Sequence, residues 1–174
     1  MSSVSRSRCS NITGSALLLT FSLANTFAQS PQRTTASYDD WTVRCETQGT
    51  PPQKSCEIVQ VVQMQGQPLS QIAIGRAAKT EPLKIVIQVP INVYLPDGIK
   101  LVYDAKEPPL AGIFKRCVAN ACFSDLDLKD DIVKKLRSRT EQGKLEFKDS
   151  AQRDVAIPVS FKGFGQAFDA MAKE

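Results

Sequence analysis

"CEIVQVVQMQGQPLSQIAIGRA", residues 56–77, decides what kind of fold the chain adopts. It holds two runs rich in β-branched residues, separated by Gly66-Gln67-Pro68. In the first run Ile58, Val62 and Met64 fall in one alternating set, and in the second Ile72 and Ile74 are in phase. A period of two places successive side chains on opposite faces of a strand, whereas a helix repeats its apolar residues every three or four. Glycine and proline between two such runs mark the reversal of a hairpin or meander. The stretch therefore predicts antiparallel β-structure.

The pattern extends outward in both directions. "YDDWTVRC" (38–45) reads as a first strand with Trp41 and Val43 on one face, and "ETQGTPPQKS" (46–55) as the loop after it. "LKIVIQV" (83–89) is the plainest strand, with Ile85, Ile87 and Val89 aligned. Short runs flank Pro96-Asp97-Gly98, residues suited to a type I turn. "GIFKRCV" (112–118), "KLEFK" (144–148) and "DVAIPVSF" (154–161) bring the total to about eight short strands.

One helix is expected within "SDLDLKDDIVKKLRSRTEQG" (124–143), where Leu128, Ile132 and Leu136 recur every fourth residue beside Val133. Ser124, Asp125 or Asp127 suit its cap, Asp130 and Asp131 its first turn, and Gly143 its end. "GQAFDAMAKE" (165–174) reads as a short closing helix. No βαβ alternation appears, so the fold class is all-β: an antiparallel sandwich with one or two short helices.

The N-terminus sets the compartment. Arg6 and Arg8 precede the apolar stretch "ITGSALLLTFSLA" (12–24), and "NTFAQS" (25–30) offers a small-residue exit after Ala28. That is the layout of a cleaved secretory signal peptide over residues 1–28, and the apolar run is shorter than the 18 or so residues of a membrane span. Cys9 lies ahead of the apolar run, which argues against lipid anchoring. Residues 29–37 read as a flexible lead and 38–174 as one domain. The expected mature chain has 20 basic and 18 acidic residues, too near neutrality for a nucleic-acid binder, and no transmembrane segment.

Export also decides the chemistry of the cysteines. Four remain after cleavage, Cys45, Cys56, Cys117 and Cys122. An even count in an exported chain points to two disulfides. Each neighbouring pair falls within a strand–turn–strand span, which favours Cys45–Cys56 and Cys117–Cys122. Zinc would need a C-x-x-C knuckle or histidines, and a thiol–disulfide catalyst a C-x-x-C at a helix start. The chain contains no histidine, so a Ser-His-Asp or Cys-His arrangement cannot be assembled. The acidic run 125–131 puts Lys129 and Asp130 where a calcium loop needs an oxygen ligand and a glycine. The lone "GFG" (163–165) reads as a turn, Trp41 as a core residue, and nothing specifies a cofactor. Lys134, Lys135, Arg137 and Arg139 form a candidate binding surface for an anionic lipid or glycan.

"DWTVRC" (40–45), "CEIVQ" (56–60), "LPDGIKL" (95–101), the C-x4-C of 117–122 and "IPVSFKGFGQAFDAM" (157–171) stand in an order and spacing that resembles the invasion-associated locus B family. The resemblance covers roughly residues 38–171. Pro90-Ile91-Asn92-Val93 departs from the proline–leucine–glycine run that members often carry there. What the resemblance implies is an exported bacterial envelope protein with an immunoglobulin-like sandwich, from a family named for a locus that promotes entry into host cells. It supplies no catalytic residue or ligand to carry over.

The expectation is therefore a periplasmic or surface-exposed, non-enzymatic binding protein whose partner is a protein or glycan of the envelope or host surface. The alternatives are a disulfide-handling or carboxylate-based periplasmic enzyme, and an assembly or chaperone-like subunit that donates or accepts a strand.

Overall fold

The hairpin expected at 56–77 is present, and it lies at the middle of a larger sheet. The computed structural model describes residues 32–78 and 80–174, so the expected signal peptide lies outside the described residues. Strands β1 (Gln32–Tyr38), β2 (Trp41–Gln48), β3 (Gln53–Met64), β4 (Gln67–Gly75) and β5 (Lys84–Pro90) follow one another as an antiparallel meander. A second group comprises β6 (Ile99–Val102), β7 (Leu110–Gly112), β8 (Phe114–Val118), β9 (Ala121–Asp127), β10 (Gly143–Lys148) and β11 (Asp154–Val159). Helices α1 (Asp130–Arg137) and α2 (Phe164–Ala172) complete the chain. One sheet has seven strands in the order β1-β2-β3-β4-β5-β9-β8, and the other four in the order β11-β10-β6-β7. The result is the antiparallel β-sandwich with two short helices.

A sheet of seven strands facing one of four leaves uncovered area, and α2 closes it by lying over β1, β2 and β3. The buried inner face of the larger sheet carries Trp41, Val43, Ile58, Ile72, Ile74, Ile85, Ile87 and Val89. Ile99, Leu101, Leu145, Ile157 and Val159 face it from the smaller sheet, with Phe161 and Phe164 beside them. Trp41 is a core residue, as expected. Its ring meets Phe164 edge-on at 5.0 Å, and its Nε1 donates to the Ser160 carbonyl at 2.9 Å. Gly163, between β11 and α2, is the turn expected at "GFG". It adopts φ +82°, and a Cβ there would lie 2.1 Å from the Tyr38 carbonyl oxygen. The position therefore excludes every residue with a side chain.

Several boundaries differ from the sequence reading. Residues 32–37 are not a flexible lead but most of β1, paired with β2 from Gln32↔Thr47 to Tyr38↔Trp41. All are exposed, so no apolar alternation announces the strand. The open backbone edge of β2 recruits it, because unpaired ladder groups favour another strand. The helix expected over 124–143 begins only at Asp130. Residues up to Asp127 are drawn into β9 by pairing with β5 from Pro90↔Ala121 to Lys84↔Asp127. Ser124, Asp125 and Asp127 therefore cap nothing. The helix follows Lys129, which makes no side-chain cap, and Gly143 opens β10 instead of closing α1. Met64 leaves the buried set because a bulge between Val62 and Gln63 shifts the register.

Two turns behave as their residues require. Gly98 N–H donates to the Leu95 carbonyl at 3.1 Å across Pro96-Asp97, an i→i+3 bond of the kind expected there. Asn92 has φ +72° at the departure 90–93 from the family's proline–leucine–glycine run. Asparagine is among the few residues other than glycine that tolerate this conformation.

Candidate functional site

Both cysteine pairs are bonded as the local spans suggested. Cys45–Cys56 joins directly opposed residues of β2 and β3, and Cys117–Cys122 joins opposed residues of β8 and β9. Their surroundings differ. Cys45 and Cys122 are buried, Cys56 is half-buried, and Cys117 is exposed on β8, an edge strand of the larger sheet. The Glu174 side-chain carboxylate lies within 4.8 Å of the Cys45 and Cys56 sulfurs. Sulfurs bonded to each other carry no thiolate to give a metal, so these three residues are not a ligand set. Replacing Cys117 and Cys122 together by serine should cost about 2 kcal/mol, because the bond closes a short loop in the unfolded chain. Urea unfolding should show this as a lower midpoint with little change in slope.

The candidate binding surface on α1 is largely neutralised within the molecule. Lys135 Nζ donates to Glu107 Oε2 at 2.8 Å, Arg137 pairs with Asp169 of α2, and Arg139 pairs with Asp104 and, at 3.0 Å, with Glu141. Of the four cations only Lys134 is exposed with no carboxylate partner among the described residues. The acids come from a loop, a neighbouring helix and the chain beyond α1, and one-dimensional spacing gives no sign of such partners. The hydrogen bond from Lys135 to Glu107 pushes the lysine's pKa up. The Lys106 backbone N–H, and then Arg139, hold the Asp104 carboxyl below its ordinary range. Burial raises the pKa of the Tyr103 phenol.

The acidic run 125–131 is divided between two elements. Asp125 and Asp127 face Lys84 across the larger sheet at 3.8 and 4.0 Å, while Asp130 and Asp131 occupy the first turn of α1. A cleft of about 360 Å³ lies beside the Cys45–Cys56 bond, lined in part by Lys54, Phe168 and Met171. Ser55 and Glu174 also line it, and Lys54 pairs with the Glu174 carboxylate.

Asp149, in the turn between β10 and β11, accepts backbone N–H bonds from Ala151 at 2.9 Å and Arg153 at 3.0 Å. It also pairs with the Arg153 guanidinium at 2.6 Å. The Arg153 N–H and then its side chain hold this carboxyl below its ordinary range. A depressed folded pKa stabilises the native state above the ordinary carboxyl pKa of about 4, and that stabilisation is lost as pH falls towards the folded value. Asp149→Asn keeps an acceptor and removes the charge. Its urea midpoint should be lower than that of the parent at neutral pH, and the gap should narrow as pH falls below the ordinary carboxyl range.

The segment that holds Trp41, the two disulfides, the Pro96-Gly98 turn and α2 is matched by a family model. The invasion associated locus B (IalB) protein family covers residues 41–172. The chain belongs to this family. Its fold is similar to the crystal structure of invasion associated protein B from Bartonella henselae, with a TM-score of 0.71 at 17% identity, covering 80% of this chain and 95% of that one. No curated protein sequence matches the chain. The matched region of this IalB family member starts at the first residue of β2 and ends with the last of α2, so it spans both sheets, both helices and both disulfides. Strand β1 precedes it.

Proposed function

We propose that this IalB family member is an exported, non-enzymatic binding protein of the cell envelope, in the periplasm or at the surface, with a role linked to invasion or envelope function. The observation that carries the reading is the state of its sulfurs. Each of the four cysteines beyond the apolar leader is spent in a cross-strand disulfide, which suits an oxidising compartment. With no histidine in the chain and these thiols bonded, the usual base and the usual sulfur nucleophile have no residue to supply them. A braced sandwich then acts by presenting loops and strand edges to a partner. Lys134 is the cation of α1 that such a surface would use.

Fractionation of cells expressing the full chain tests the compartment. The processed protein should appear in the periplasmic or envelope fraction with both disulfides formed and a new N-terminus near residue 29. Recovery from the cytosol with an uncut N-terminus and reduced cysteines would overturn the reading. The exposed position of Cys117 also allows a disulfide-handling role, and alkylation separates the two. The native protein should take up no thiol label, whereas a reactive Cys117 or Cys122 would favour the redox role.

A further inference from the structure

The exposed large aliphatic side chains are not scattered. Among the described residues they are Val61, Met64, Ile91, Leu95, Ile113 and Val118, each between 42% and 63% exposed. Strand register gathers them towards one end of the sandwich. Pro90 opposes Ala121, and Ala121 opposes Val118, so Ile91 and Val118 leave the larger sheet together. Gln71 opposes Gln88, which carries the β3–β4 hairpin and Met64 beyond the same end, with Val61 one row inside. In the smaller sheet, Tyr94 N–H bonds to the Lys148 carbonyl and Ser150 N–H to the Asn92 carbonyl, so the segment bearing Leu95 lies on the β10–β11 turn. Ile113 stands at the corner where the chain passes between sheets, next to Gly98. The opposite end, which includes residues 48–53, 76–78 and 80–82, has none of these six.

Exposed cations flank these side chains. Lys100, Lys115 and Arg116 are exposed near this end with no carboxylate partner among the described residues. Arg116 lies over the Phe123 ring at 4.9 Å. Asp149 and Asp154 are occupied by Arg153 and Lys148, which leaves Asp97 as an acid at this end without a paired cation among the described residues. The Cys117–Cys122 bond sits one residue pair below the Val118–Ala121 tip and holds it in shape.

We infer that this end of the molecule docks on the interface of an anionic bilayer. The inference rests on the envelope location proposed above. Single aliphatic side chains carried on separate tips suit partial insertion among acyl chains, where each gains burial while the loop backbone stays at headgroup level. Cations close to the tips meet the anionic headgroups. A protein hot spot would instead be expected to gather aromatic anchors in one packed patch, and none of the six is aromatic.

Co-sedimentation with vesicles tests this, using processed protein recovered from the periplasm of cells expressing the full chain and checked by N-terminal sequencing. The protein should bind equimolar phosphatidylglycerol–phosphatidylethanolamine vesicles, bind phosphatidylcholine vesicles weakly, and dissociate as salt rises. Ile91→Ser with Val118→Ser should lower affinity about tenfold, and Lys115→Glu with Arg116→Glu by a similar factor. Gln53→Glu, at the far end, should bind as the parent does. Urea midpoints of all variants establish that they remain folded. Equal binding to both vesicle types, or unchanged binding by both double variants, would overturn the inference. So would loss of capture by an envelope protein in detergent through these same substitutions, since that would make the end a protein-binding surface. A cytosolic, uncut protein would instead defeat the envelope reading before any vesicle was added.

Discussion

Phe164→Ala should destabilise the domain by about 4 kcal/mol. The ring is fully buried at the first residue of α2. It meets Trp41 edge-on at 5.0 Å, Phe161 edge-on at 6.2 Å, and stacks with Phe168 at 6.1 Å. Alanine would forfeit the buried area and these ring contacts, and would leave a cavity under the helix. Relaxation into that cavity is hindered on both sides. Gly163 has no room to move towards Tyr38, and Trp41 is held by its bond to the Ser160 carbonyl. Urea unfolding followed by Trp41 fluorescence reads the change directly, since this is the chain's single tryptophan. A loss below about 1 kcal/mol would show that α2 is peripheral to stability.

Gln60→Leu should cost about 2–3 kcal/mol although it makes a core position more apolar. Gln60 is buried on the inner face of β3, where its amide clamps the chain beyond β11. Nε2 donates to the Ser160 carbonyl at 2.8 Å and Oε1 accepts the Ser160 N–H at 3.0 Å. The side chain thus imitates one rung of a β-ladder between two sheets. Leucine would fill the space and leave the Ser160 N–H without its partner, while the carbonyl would keep only the Trp41 donor. If apolar burial governed the site the variant would be neutral or more stable, so the sign of the shift in midpoint separates the two accounts.

Elements with their own apolar period were legible in the chain. Ile72 and Ile74, the set Ile85, Ile87 and Val89, and Val133 with Leu136 are buried where alternation or helical spacing places them. Elements that exist because a neighbour offers hydrogen bonds were not. Strand β1 is polar throughout, and β9 takes Ser124 and Asp125 from what looks like a helix start, because edges of β2 and β5 needed partners. The surface behaved similarly. The run Lys134–Arg139 suggests a basic patch, yet Glu107, Asp104 and Asp169 arrive from elsewhere and neutralise most of it.

The chain by itself determined the class of the fold, the pairing of its cysteines and the lack of histidine chemistry. These follow from local quantities: residue type, spacing, and the short reach between strands joined by a turn. Tertiary structure alone decided which acids neutralise α1, that Gln60 bridges two sheets, and that six aliphatic side chains distant in sequence gather towards one end. Those depend on strand register and sheet packing, which set contacts between residues a hundred or more positions apart and which no local pattern records.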